Sequence, residues 1–194
     1  MAKRQEDVVK YTYEDYLTWP EEESIELMDG VPIAMTPAPS REHQRIVVEL
    51  VSTFHSYLKN HPCDVYVAPF DVRLGHNPNR DDETYTVVQP DLSIICDQTK
   101  LDDRGCKGAP DLIIEVVSPS TASNDYIRKH KIYEKYGVKE YWLVHPSDQL
   151  ITVFLLEDDG FGKPTYFDKG GTISVHTLPG FEFEVGSLFI DKGQ

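Results

Sequence analysis

The segment from residue 110 to residue 136 constrains the fold most strongly, because an apolar strand is followed directly by a helix. Residues 111–118 (DLIIEVVS) contain no turn-forming residue before their end, which predicts a central strand buried on both faces. The Ser-Pro-Ser-Thr sequence at 118–121 cannot extend that strand and predicts a turn. A helix is predicted from residue 123 to residue 136, where Gly137 provides a C-terminal cap.

Two charged residues interrupt the apolar pattern of this unit. Glu115 lies in the middle of the predicted strand, where an uncompensated carboxylate would cost roughly several kcal/mol. Lys129 lies on the helix face that also carries Ile132 and Tyr133, and this face is predicted to pack on the core. A carboxylate and an ammonium buried so near each other indicate that the two groups compensate each other at a site.

The rest of the chain predicts one mixed α/β domain. In chain order the pattern indicates a short helix at 13–17 capped by Thr12, a hairpin at 24–36 with Asp29-Gly30 as its turn, and a long helix at 40–60. Four strands are indicated at 65–74, 85–96, 140–145 and 150–156. Two or three short strands are predicted between residues 164 and 190. Pro90 inside the strand at 85–96 indicates either an edge strand or the true start of that strand. Residues 1–10 are expected to be flexible and residues 11–190 to form a single domain.

Composition and charge limit the function. The net charge of −14 argues against a protein that holds nucleic acid mainly through phosphate contacts. It does not exclude an enzyme that meets nucleic acid through a bound divalent cation, since the ion reverses the local field.

No run of eighteen apolar residues is present, so no membrane span is expected. The N-terminus lacks the apolar stretch of a secretory signal, which predicts a cytoplasmic protein. Its three cysteines, Cys63, Cys96 and Cys106, show no metal-binding spacing and are predicted to be free thiols.

The leading candidates for chemistry are Asp91, Glu115 and Lys129. If their two strands lie in one sheet, Asp91 and Glu115 can together bind Mg²⁺ (or Mn²⁺), which prefers oxygen ligands. The ion would polarise a phosphodiester and help to form hydroxide from a bound water, and Lys129 could orient that water or stabilise charge on the phosphate. The alternative is structural: Asp91 caps a strand, Glu115 pairs with a lysine, and Asp125 and Lys129 form an ordinary helical ion pair.

Several motifs in this order and spacing resemble the Uma-two family, a branch of the PD-(D/E)xK restriction-endonuclease-like superfamily that is abundant in cyanobacteria. The motifs are Asp125, Lys129, Tyr133 and the segments IELMDG at 25–30, SREHQRI at 40–46, PD at 90–91, DLIIEVVSPST at 111–121 and GVKEYWLVHP at 137–146. The resemblance extends from about Tyr11 to Phe189. It implies a restriction-endonuclease-like mixed β-sheet flanked by helices, with an N-terminal β-hairpin and C-terminal β-strands. It also implies a metal-dependent endonuclease that acts on DNA, with a homodimer as one possible assembly.

The same resemblance implies roles for individual residues. Asp91 would be the strand aspartate of the superfamily and Glu115 its second acidic residue, and both would bind the metal. Val117 stands where the superfamily pattern has lysine, two residues after Glu115, so Lys129 would supply the amine from the following helix. Asp111 also follows a proline, but it lies about 13 Å from Glu115 along one strand, which favours Asp91.

Accessory roles are implied for Glu26, His43 and Asp125. The pattern alone favours the structural interpretation for both: a packed, hydrogen-bonded histidine for His43 and a solvated hairpin residue for Glu26. The functional alternative to a nuclease is a module that binds nucleic acid or protein and keeps the fold without cleaving. The net charge and the displaced lysine are compatible with that alternative.

Overall fold

Two β-sheets pack against each other, and helices cover the larger of them. The computed structural model describes residues 9–20, 24–35, 39–119 and 121–190. In chain order the strands β1 to β15 comprise Ile25–Met28, Val31–Ala34, Asp64–Val67, Val72–Leu74, Thr86–Val88, Leu92–Ile95, Leu101–Asp102, Gly105–Lys107, Leu112–Val116, Glu140–His145, Leu150–Glu157, Gly160–Phe161, Thr165–Asp168, Thr172–Ser174 and Glu182–Glu184. Helices α1 to α3 comprise Tyr13–Tyr16, Arg41–Leu58 and His130–Tyr136. A π-helical segment, Asn124–Lys129, leads directly into α3.

The larger sheet has the order β12-β11-β10-β9-β6-β3, with β13 also paired to β11. Its central strands β9 and β10 are parallel, and the π-helical segment and α3 form the crossover between them. The smaller sheet has the order β2-β1-β5-β4-β8-β7, and β14 pairs with β15. The mixed α/β architecture that the resemblance implied is therefore confirmed.

The two faces of the larger sheet have separate cores. On one face α2 and the C-terminal segment pack together, and the ring of Phe54 contacts Trp142, Phe181 and Phe183. On the other face α3 and the smaller sheet pack against β9 and β10. Because both faces are covered, β9 is buried throughout its length, as its apolar sequence predicts.

Prolines break two of the predicted strands. The strand predicted at 65–74 is wrong as one element, because Ala68-Pro69 separates β3 in the larger sheet from β4 in the smaller sheet. The strand predicted at 85–96 is likewise divided between β5 and β6, with Pro90 in the break. A proline has no N–H to donate to a sheet, so the chain leaves one sheet and enters the other at these positions. Pro90 therefore precedes the true start of β6, which is an internal strand.

The cysteine prediction is wrong for two of the three residues. Cys63 and Cys96 form a disulfide, and Cys106 is a buried free cysteine. The reason lies in the strand register, because β3 and β6 are antiparallel and the two cysteines stand opposite each other at the end of that pair. Thirty-three residues separate the two cysteines in the sequence, which gives no indication of this register.

The turns and caps of the N-terminal half follow the sequence closely. Asp29 and Gly30 have φ values of 49° and 85°, as a two-residue type I′ hairpin turn requires. The Ser40 hydroxyl accepts the His43 N–H at the start of α2. Gly137 ends α3 in the left-handed conformation, with a φ of 85°. Residues 1–8 of the predicted flexible segment, Thr36 of the predicted hairpin and Ser120 of the predicted turn lie outside the described residues.

No helix in the described parts of the chain is long and apolar enough to cross a membrane.

Candidate active site

Lys129 connects the two sheets at the centre of the molecule. Its Nζ lies 2.8 Å from Oε1 of Glu115 on β9 and 3.0 Å from Oε1 of Glu26 on β1. All three side chains are at least nine-tenths buried. The last residue of the π-helical segment therefore carries an ammonium between a carboxylate of the larger sheet and one of the smaller sheet. The sequence-based hypothesis that Glu115 and Lys129 compensate each other is confirmed.

Among the described residues, the hydrogen bonds of the Glu115 carboxylate all reach one oxygen. Oε1 accepts hydrogen bonds from Lys129 Nζ and from the hydroxyl of Tyr133, each at 2.8 Å. Oε2 has no hydrogen-bonding partner among the residues that the structure describes. The carboxylate is thus held firmly from one side and keeps the other oxygen for a ligand.

Asp91, which directly precedes the neighbouring strand β6, also makes its contacts through one carboxylate oxygen. Continuing the antiparallel register of β6 and β9 by one residue places Asp91 opposite Glu115. Its Oδ2 accepts the Val116 N–H at 2.7 Å and lies 3.2 Å from Nε2 of His43 on α2. Burial lowers the pKa of His43, but the hydrogen bond and the charge of Asp91 outweigh it and raise that pKa. Oδ1 of Asp91 has no partner within the described residues.

A cleft of about 1150 Å³ gives access to these groups. Glu26, Asp91, Glu115, Asp125 and Lys129 all contribute to its lining. Asp125 and Lys129 are one turn apart on the π-helical segment, and both are buried. Such segments occur frequently at functional sites, and here one brings a carboxyl group and an ammonium group to the same cleft.

The electrostatics of the cluster are dominated by negative charge. Burial raises the pKa of Glu115; Lys129 opposes this rise, and the carboxylates of Asp125, Asp91 and Glu26 add to it. Burial also raises the pKa of Asp125, again against the effect of Lys129. Four carboxylates with one ammonium in a poorly solvated cleft leave an excess of negative charge that a cation would offset.

Lys129 itself stays protonated in this environment. Burial lowers the pKa of its amine, but Glu115, Glu26 and Asp125 outweigh burial and raise that pKa well above the ordinary value. A permanently charged ammonium can stabilise negative charge on a bound phosphate, but it cannot act as a base.

The donor set fits a hard divalent cation. No group of three or more His, Cys, Asp and Glu side chains in the described part of the chain is already arranged around a common metal position. Mg²⁺ does not require such a group, because it usually binds through one or two carboxylates and keeps several waters. Asp91 and Glu115 provide two carboxylates at opposite positions on adjacent strands, and each has one oxygen available.

All six residues that the sequence analysis selected meet in this region, as the cleft lining shows for Glu26, His43, Asp91, Glu115, Asp125 and Lys129. Glu26 is buried and is not a solvated hairpin residue. Asp111 is separate from the cleft, because its carboxylate accepts the Cys96 N–H at 2.8 Å and the Lys139 ammonium at 2.6 Å. Its role is therefore structural. The catalytic and metal-binding roles of the six residues stay predictions.

Sequence reasoning missed the groups that hold this arrangement in place. The Gln89 N–H donates to Oε1 of Glu26 at 2.8 Å, and its side-chain amide donates to Oδ1 of Asp71 at the same distance. Asp71 in turn accepts the hydroxyl of Tyr13 at 3.0 Å. The one available signal was that Gln89 directly precedes the Pro-Asp pair.

Comparisons with known proteins address the family and the fold of this chain. The model of the Uma2 (Uma-two) family, described as "Putative restriction endonuclease", matches residues 13–186. An uncharacterised protein of Synechocystis is 30% identical over 183 residues, which is 93% of this chain and 92% of that protein. A crystal structure from Anabaena variabilis, titled as a "putative nuclease belonging to DUF820", superposes with a TM-score of 0.73. It shares 22% identity and covers 92% of this chain and 97% of that one.

The mixed sheet and the fold match define a restriction-endonuclease-like protein. Within that class, the chain belongs to the Uma2 family, whose model spans most of its length. The resemblance inferred from the motifs is thereby confirmed. The relative in Synechocystis agrees with the expected occurrence in cyanobacteria.

The buried Glu115 makes stability depend on pH. Because its pKa is raised, the folded chain keeps this proton at pH values where the unfolded chain has released it. The contribution of Glu115 to the free energy of unfolding is therefore complete below the ordinary value of 4.5 and decreases as the pH rises above it. We expect Glu115→Gln to flatten this decrease, measured by urea unfolding between about pH 5 and about pH 8. Glu14→Gln, at an exposed residue, is the control. Equal slopes for Glu115→Gln and wild type would contradict this assignment.

Proposed function

We propose that this protein is a metal-dependent endonuclease that hydrolyses phosphodiester bonds in DNA. The observation that carries the proposal is the pair Asp91 and Glu115, with one available oxygen each, beside the buried ammonium of Lys129. The description of the family supports a nuclease in general terms. The metal and the DNA substrate are inferred from the chemistry of the cleft.

Asp91 and Glu115 would hold Mg²⁺ or Mn²⁺ through the oxygens that face no other group. The ion, when bound, polarises the phosphodiester and lowers the pKa of a bound water. Val116 N–H and His43 fix the other oxygen of Asp91, so that this carboxylate keeps its orientation. Tyr133 does the same for Glu115.

Lys129 would stabilise the negative charge that develops on the phosphate during attack. Glu26 and Glu115 hold its ammonium in position, so little reorganisation is needed when charge develops. Glu26 would therefore act on the reaction through Lys129. Gln89, whose N–H holds Glu26, would support the same arrangement.

The non-cleaving binding module remains the second candidate. It is favoured by the engagement of Lys129 with two carboxylates, which satisfies the ammonium without any substrate. Such a module would bind metal without hydrolysing DNA, so the two candidates differ in one measurable activity.

Cleavage of supercoiled plasmid tests the enzyme directly. We expect wild-type protein with Mn²⁺ to cut the plasmid, and Asp91→Asn or Lys129→Met to lower the rate at least about 100-fold. The control Asp111→Asn alters a carboxylate that directly precedes β9 and lies outside the cleft. This variant should keep most of the activity. Full activity of the Asp91 variant would refute the metal site, and full activity of Lys129→Met would exclude the lysine from the reaction.

Metal binding should stabilise the folded chain, because the two carboxylates come together only in that state. We expect saturating Mg²⁺ or Mn²⁺ to raise the melting temperature of wild-type protein, and Glu115→Gln to abolish most of the rise. Asp111→Asn should respond to metal like wild type. A rise that survives Glu115→Gln would place the ion elsewhere, and a rise without plasmid cleavage would favour the binding module.

A further inference from the structure

The wall of the cleft is aliphatic. On α2 the side chains of Val47, Val48 and Val51 line the cleft, and Ile33, Met35 and Val67 line it from other parts of the chain. Val48 is 62% exposed although it belongs to the longest helix, and Val67 is 38% exposed. This surface, the valine wall, therefore meets solvent directly beside the carboxylate cluster. Single exposed apolar side chains are ordinary, but a contiguous apolar surface rimmed by polar groups is typical of a ligand-binding groove.

The cleft offers little to the backbone of a DNA duplex. Among the described residues that line it, Lys129 is the only lysine or arginine, and its ammonium is already shared by two carboxylates. Duplex binding depends on several Lys or Arg contacts to closely spaced phosphates. In a duplex the base faces also stack on one another, so they are not available to an apolar wall.

We propose that the cleft takes single-stranded DNA, with unstacked bases against the valine wall and one phosphate at Asp91 and Glu115. This inference rests on the proposed function and adds the class of substrate: in a supercoiled plasmid the cleft would take strands that negative supercoiling leaves transiently unpaired. Unstacked bases are commonly held between aromatic or apolar side chains in enzymes that act on extruded nucleotides. A volume of about 1150 Å³ is larger than that of most small-molecule pockets, roughly 300–1,000 Å³. It therefore has room for more than a single small ligand.

The charge of the cleft supports the same assignment. The excess of acidic side chains in the lining repels phosphates that lack a cation, and a flexible single strand can turn its other phosphates to solvent while one lies at a bound cation. Binding should then depend on divalent metal and on the valine wall, and only weakly on monovalent salt. The slope of log affinity against log salt should be about −1 or shallower, since each neutralised phosphate on a single strand contributes roughly −0.7.

Binding is measured separately from cleavage. Fluorescence anisotropy compares a labelled single-stranded oligonucleotide with its duplex in Ca²⁺, a hard cation that also takes oxygen ligands. We expect the single strand to bind at least about tenfold more tightly. Val48→Asp should weaken that binding at least about fivefold, in the range found for loss of one base contact. Val31→Asp, which places the same charge on β2 outside the cleft, should change the affinity less than about twofold.

The outcomes separate the inference from the proposed function. Tighter binding of duplex, or unchanged single-strand binding by Val48→Asp, overturns the inference even if plasmid is cut. Single-strand binding that depends on Val48, without cleavage of single-stranded circular DNA in Mn²⁺, supports the inference and overturns the proposed function. A change of oligomeric mass in Val48→Asp with unchanged binding would identify the valine wall as a contact between copies and would also overturn the inference.

Discussion

The ion pairs of Lys129 hold the functional part of the molecule together. Its ammonium joins Glu26 of the smaller sheet to Glu115 of the larger one, in a region where an unpaired charge would be strongly destabilising. Because one ammonium serves both carboxylates, loss of Lys129 would leave two buried acidic groups without a cation. The same arrangement fixes one oxygen of Glu115 and leaves the other for a ligand. Structural and chemical demands therefore fall on the same residues.

The site could be anticipated from the sequence because its members violate the local pattern. A glutamate inside an apolar strand and a lysine on the packed face of a helix are improbable unless they meet, and here they do. Glu26 and His43 gave no such signal, and the family resemblance was needed to select them. Gln89 and Asp71 were missed because their contribution depends on hydrogen bonds across 18 residues, which no pattern encodes.

The errors in the fold share one physical cause, since the sequence does not reveal register or sheet membership. Apolar runs at 65–74 and 85–96 look continuous, yet in each the chain passes between sheets at a proline. The Cys63–Cys96 disulfide follows from the antiparallel register of β3 with β6. At Pro90 the chain enters the larger sheet, and this brings Asp91 opposite Glu115. The break that made the strand prediction wrong therefore also positions Asp91 in the cleft.

Crystals soaked in Mn²⁺ would test the proposed metal position through the anomalous signal of the ion. We expect one strong peak about 2.1 Å from the carboxylate oxygens of both Asp91 and Glu115, with waters in the remaining positions. The Lys129 ammonium should stay within hydrogen-bonding distance of Glu26. No peak between Asp91 and Glu115 at saturating Mn²⁺, or a peak only at another site, would show that these two residues do not form the metal site.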